Sequence, residues 1–238
     1  GGDPILWQHL FWIFGHPEVY IVFLPSIAIA SMIVPTVARR PIVGYSWIVL
    51  SAVGTGFLSF GLWVHHMFTT GLPQISLGFF SAASEAVVIP TGIQLFAFVA
   101  TLMVGRVKMS LPMLWIAGAL AIFVAGGLTG VMLAIVPFNW QVHDTYFIVF
   151  TYPESSGWGW LNLISTIGAF VIAAGFAVFL YDLLRPKKDQ PQIPRNPWGA
   201  GTLEFSHEVP AEAWGVRSVP YIHSRYPLWD QPKLVERM

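Results

Sequence analysis

HLFWIFGHPEVYIVFLPSIAIASMIVPT, residues 9–36, carries a single carboxylate in a run long enough to decide the class of the protein. As an α-helix rising about 1.5 Å per residue, it can cross the roughly 30 Å of hydrocarbon in a bilayer. Inside it lies GHPEVY, residues 15–20, which places His16, Glu18 and Tyr20 around Pro17. Ionisable groups in hydrocarbon are costly and generally have a function. On a helix, His16 and Tyr20 share one face and Glu18 is turned away from it, while Pro17 removes a backbone donor and invites a kink.

Working outward, four further apolar stretches lie near 43–69, 76–105, 112–137 and 160–183, giving five expected spans. Composition agrees with that reading: 55% hydrophobic residues, 10% charged residues and a mean hydropathy of +0.64 exclude an ordinary soluble domain. The fold class expected is an all-α integral membrane protein with a polar C-terminal tail. Zero net charge offers no global field to steer nucleic acid, so the lipid bilayer is the first partner implied. Because cysteine is absent, the available metal ligands are imidazole, carboxylate and phenol. The opening Gly-Gly-Asp-Pro has no basic segment leading to a cleavage site and reads as a start within a longer protein.

Basic residues set the orientation. Arg39 and Arg40 follow the first span, Arg106 and Lys108 the third, and Arg185, Lys187 and Lys188 the fifth, whereas the other connections lack Lys and Arg. The positive-inside bias puts the start outside and the tail in the cytoplasm. Residues 1–185 form the expected transmembrane domain. From Pro186 the chain becomes rich in proline, glycine and charge, so 186–238 reads as an irregular cytoplasmic tail lying against something else.

The second stretch ends in GLWVHHMFTTG, residues 61–71, with adjacent His65 and His66. Helical neighbours diverge by about 100°, so the two rings can meet one atom only beside the helix axis. A third imidazole from another helix completes a site suited to copper or zinc. A single intramembrane histidine is as readily explained by a hydrogen bond to a neighbouring helix. Three histidines with Glu18 and Tyr20 in consecutive spans favour a metal site, with Tyr20 placed to supply an electron and a proton.

WQHLFWIFGHPEVY, GLWVHHMFTTG, IPTGIQLFAF, GGLTGVMLA and VHDTYF occur in the order and spacing of the haem–copper respiratory oxidases, and the chain closely resembles their cytochrome c oxidase subunit I of the bacterial aa3-like type. The resemblance implies part of a twelve-helix bundle that reduces O2 to water at a haem–copper centre, takes electrons from cytochrome c, translocates protons and assembles with subunits II and III in a bacterial inner membrane. It makes His16, His65 and His66 the copper ligands, Tyr20 the tyrosine cross-linked to one of them, and Glu18 the glutamate that delivers protons. It also makes His143 and Asp144 a pair that helps hold magnesium or manganese. Ser31 and Thr91 match hydroxyls of a proton path, Gln94 stands where many relatives have lysine, and Glu85 is an extra carboxylate that could substitute as a carrier.

The chain also departs from the family. Only the sixth of the family's first six helices is represented, and two later helices are missing after HDTYF. Thr151 and Pro153 stand where an ungapped alignment would place haem-ligating histidines, so no haem ligand is expected in this chain. Two alternatives follow: a non-catalytic copper-binding remnant or pseudo-subunit without haem, and a quinol-oxidising relative with the same core.

Overall fold

The computed structural model describes residues 2–143, 159–185, 194–206, 220–231 and 234. The described residues are helical or irregular. They divide into two compact units: residues 1–136 with 194–238, and residues 137–193.

In the first unit, α1 (Pro4–Ala38) opens with Asp3, whose carboxylate accepts the Ile5 N–H at 2.9 Å, and with Pro4 in the first turn. Asp3 meets an otherwise orphan donor, and Pro4 has no N–H to leave unpaired. The helix stops where Arg39 turns left-handed (φ 51°), and the N–H groups of Arg39 and Arg40 return to the carbonyls of Thr36 and Pro35. That pairing closes the last turn by satisfying two carbonyls that the helix itself cannot.

The second stretch differs from the expected continuous span. α2 (Tyr45–Ser59) has 15 residues, or about 22 Å of rise. The chain then loosens over 60–62 and tightens into a short 3-10 turn, Trp63–Met67, that carries both adjacent histidines. Ser51 and Ser59 donate to carbonyls three residues back, which competes with regular helix, and Gly61 follows where the helix gives out.

α3 (Gln74–Ala86) and α4 (Val88–Val104) make one apolar run interrupted at Val87, three residues before Pro90 in the first turn of α4. α5 (Leu111–Ala134) follows. In the second unit, α6 (Val136–Val142) begins one residue before the boundary and α7 (Gly159–Leu184) is apolar all round. Four stretches are long and apolar enough to cross a membrane: Pro4–Ala38, Gln74–Val104, Leu111–Ala134 and Leu163–Leu184. α2 is apolar but shorter, so the described residues give four such spans where five were expected.

α1, α2, α4 and α5 meet at the end bearing the basic loops, where Val34, Ile42, Ile48, Ala97, Phe98 and Ile116 form the core. There the Arg106 and Lys108 N–H groups donate to the carbonyls of Ala38 and Val37. The two basic loops are thus fastened backbone to backbone. Gly105 makes the approach possible, since a Cβ at that position would lie 2.6 Å from Ala38 Cβ and 2.7 Å from its carbonyl oxygen.

The described tail is more ordered than its composition suggests. α8 (Pro227–Asp230) places the Trp229 ring on Tyr226 at 4.7 Å, and Trp229 Nε1 donates to the Gly199 carbonyl at 2.8 Å. The Arg225 guanidinium lies 3.4 Å from the centre of the Tyr45 ring, tying the tail to the start of α2. Burial in this corner raises the Tyr226 phenol above its ordinary pKa. Aromatic side chains scattered among the prolines supply the order that an irregular tail would lack.

Candidate metal centre

His16 stands on α1, 4% exposed, and faces the 3-10 turn. His16 Nδ1 lies 3.3 Å from His66 Nε2, and His65 Nε2 lies 3.2 Å from the same atom. One ligand atom from each of the three rings falls within 4.8 Å of the others. Two metal–nitrogen bonds of about 2.0–2.1 Å at a tetrahedral angle put their nitrogens about 3.3 Å apart, so the two short separations fit a single ion. In the tautomers that turn all three lone pairs inward these nitrogens repel, and a cation between them removes the penalty.

Which nitrogen of His65 is free follows from its neighbour. Ser84 Oγ donates to the Phe80 carbonyl at 2.6 Å, so at 2.8 Å it accepts from His65 Nδ1–H. The lone pair of His65 then sits on Nε2, toward the other imidazoles. This is the second-layer fixing common around metal-binding histidines. Trp12, one helical turn before His16, stacks on His66 with ring centres 3.8 Å apart. His16 Nε2, on the far side of its ring, is buried with no hydrogen-bond partner, and the Tyr20 ring stands edge-on to His16 at 4.8 Å.

Other residues singled out by sequence lie elsewhere. Glu18 is exposed on the opposite side of α1, and Glu85 is exposed beside Ser84. The Ser31 hydroxyl donates to the Ile27 carbonyl within α1, and the Thr91 hydroxyl to the carbonyl of Val87, just before α4. Gln94 is 1% exposed, and neither its amide oxygen nor its amide nitrogen has a partner. Thr55 on α2 is likewise buried with an unpartnered hydroxyl. His143 directly follows α6, its N–H donating to the Asn139 carbonyl, while Asp144, Thr151 and Pro153 lie outside the described residues.

Sequence reasoning missed three contributors. Trp12 could have been found from its four-residue spacing to His16. Ser84 could not, since 19 residues separate it from the ring it orients. His9 lies inside α1 and accepts a hydrogen bond at Nδ1 from Trp63 Nε1 at 3.2 Å, one of the ties between α1 and the 3-10 turn.

The family described as cytochrome C and quinol oxidase polypeptide I matches residues 1–152. The chain belongs to that family. Cytochrome c oxidase subunit 1 of Bacillus subtilis is 34% identical over 296 residues, covering 96% of this chain and 48% of the relative. The corresponding subunit of Corynebacterium diphtheriae is 32% identical over 307 residues, covering 100% of this chain and 54% of the relative. Cytochrome c oxidase polypeptide 1 of Halobacterium salinarum is 46% identical over 149 residues, covering 63% of this chain and 25% of the relative. The chain therefore spans about half the length of the first two relatives.

The Corynebacterium alignment runs for 307 residues although this chain has 238. The relative thus has internal residues with no counterpart here, enough for two helices of about 20 residues each with their connections. The family match ends at residue 152, near the point where sequence places that gap.

Haem and copper are the cofactors the family implies. The imidazole cluster fits copper: three neutral nitrogen donors converge, one is held in its ligating tautomer, and no thiolate competes. Haem finds no comparable fit. Among the described residues the histidines outside the cluster are His9, tied to Trp63, His143 directly after α6, and His223 in the tail.

Proposed function

We propose that this chain provides the copper-binding part of the catalytic subunit of a terminal respiratory oxidase. The assembly containing it would reduce O2 to water with electrons from cytochrome c and couple the reaction to proton translocation. The convergence of His16, His65 and His66 carries the reading. Copper, when bound, supplies one-electron redox chemistry, and His16 Nδ1, His65 Nε2 and His66 Nε2 would hold it. Ser84 keeps the His65 lone pair aimed inward, and Trp12 limits rotation of the His66 ring.

Tyr20 is suited to deliver a proton and an electron beside that cluster. The unpartnered His16 Nε2 next to it supports the covalent link expected from resemblance. Forming that bond removes one hydrogen from His16 Nε2 and one from a Tyr20 ring carbon, with two electrons passing to dioxygen. Glu18, on the opposite face, would carry protons to a path completed by other parts of the subunit. Ser31, Thr91 and Gln94 would line a second path, with Glu85 as an auxiliary carrier. His143 with Asp144 would face a magnesium or manganese ion. Subunits II and III are the expected partners, with a bacterial inner membrane as the setting and the tail on the cytoplasmic side.

A specific observation favours a second reading. With no apparent iron ligand among the described residues, the chain by itself would be a copper-binding membrane protein without oxidase activity. A quinol-oxidising assembly is also compatible, since the family description names both donor types. The test is metal analysis of the purified full chain with each histidine replaced by alanine. The proposal expects about one copper per native chain and loss of most of it in every variant. Copper retained equally by all three variants would refute the site.

A further inference from the structure

At the end of the first unit bearing the Arg39 and Arg106 loops, a groove of about 1230 Å³ runs between α1 and α2 and under the described tail. On α1 its wall extends from Leu24 to Arg39, about 22 Å along the helix axis. That is longer than the roughly 15 Å half-thickness of bilayer hydrocarbon. Most of the lining is aliphatic, and the metal cluster contributes none of it.

The rim has a different chemistry. Arg39 from the end of α1, Lys108 from the α4–α5 loop and Arg225 from the tail all border it, with Tyr45, Trp198 and Tyr226 among them. Within the described residues none of these three cations has a carboxylate partner, and Glu204 is the sole carboxylate on the lining. Three separate chain segments thus bring positive charge to the lining of an otherwise apolar groove. Trp and Tyr at that level are the usual furniture of a membrane interface.

A free phosphate would satisfy the rim and leave the channel empty, while an uncharged acyl compound would fill the channel and leave the cations uncompensated. An amphiphile with an anionic head satisfies both. Basic pockets between membrane helices on the positive-inside face are known to suit such headgroups. We propose that the groove seats one anionic phospholipid, its phosphate among Arg39, Lys108 and Arg225 and an acyl chain along α1 and α2.

The test uses the full chain, purified in detergent and stripped of lipid, then titrated separately with phosphatidylglycerol, phosphatidylcholine and inorganic phosphate while native mass spectrometry counts what is retained. One phosphatidylglycerol per chain is expected, with much weaker retention of phosphatidylcholine. Replacing the three cations together (R39Q, K108Q, R225Q) should weaken phosphatidylglycerol binding about 100-fold, from about a factor of five for each basic residue. The charge-preserving R39K with R225K should keep most of it. Ala52→Phe narrows the groove without altering charge and should also reduce lipid binding, with far-UV circular dichroism showing that each variant is folded. Equal retention of the two lipids, indifference to the glutamine substitutions, phosphate binding that matches phosphatidylglycerol and ignores Ala52→Phe, or a chain dimer in place of bound lipid would each overturn the proposal.

Discussion

At the level of single residues, the centre depends on which lone pairs point inward. Ser84 decides this for His65, because the serine proton is committed to the Phe80 carbonyl and its oxygen can only accept from Nδ1–H. Ser84→Ala removes that acceptor and frees the ring to turn or change tautomer. Copper affinity, read by competition with a chelator, should fall about 10–100-fold while stoichiometry at saturation is kept. An unchanged affinity would show that packing alone orients the ring. Tyr20 allows an independent measurement. If the link to His16 forms, the proteolytic fragment containing both residues will be lighter by two hydrogens after aerobic loading with copper, and Tyr20→Phe will abolish that difference. A fragment of full mass in the copper-loaded native chain would remove the link from the proposal.

Among the elements, the close approach of the α4–α5 loop to the end of α1 offers the most discriminating substitution. A Cβ at Gly105 meets Ala38 at 2.6 Å, whereas one at Gly126 in α5 meets nothing within 4 Å. Gly105→Ala should therefore destabilise the first unit by about 1–3 kcal/mol through overpacking. Gly126→Ala should be neutral or favourable by up to about 1 kcal/mol, because alanine suits a helix interior better than glycine. Thermal unfolding followed by circular dichroism compares the two, and equal midpoints would contradict the packing described. The same elements show what sequence can convey. Runs of apolar residues identified α1, α3 with α4, α5 and α7, because hydrocarbon demands length and apolarity that few other settings impose. They did not reveal that α2 ends at Ser59, since GFLSFGLWV remains apolar while its backbone leaves the α-helix. The three imidazoles were legible because polar groups stand out in such runs. Ser84 and the internal order of the tail were not, because both depend on contacts between distant segments.

For the whole molecule, the balance between exposed apolar surface and available donors defines what the chain can do. No residue of the 18-residue window in the span Leu163–Leu184 is buried, and only 6% of that in Leu111–Ala134 is. Their outward faces require lipid or protein partners. The chain spans about half the length of its Bacillus and Corynebacterium relatives, and further helices of such a subunit would suit those faces. The imidazole cluster, by contrast, draws every ring from α1 and the 3-10 turn, its orienting hydroxyl from α3 and its stacking ring from α1 again. All of these lie in one compact unit, so metal binding should not depend on helices outside it. Haem binding should, because among the described residues the histidines outside the cluster form no comparable ligand set. The full chain expressed with haem supplied should therefore purify with about one copper and without a haem absorption band. Haem in stoichiometric amount with a low-spin spectrum would instead mean that His9, His143, His207 or His223 serves as an iron ligand. In that case, substitution of the responsible histidine would remove the spectrum while leaving copper in place.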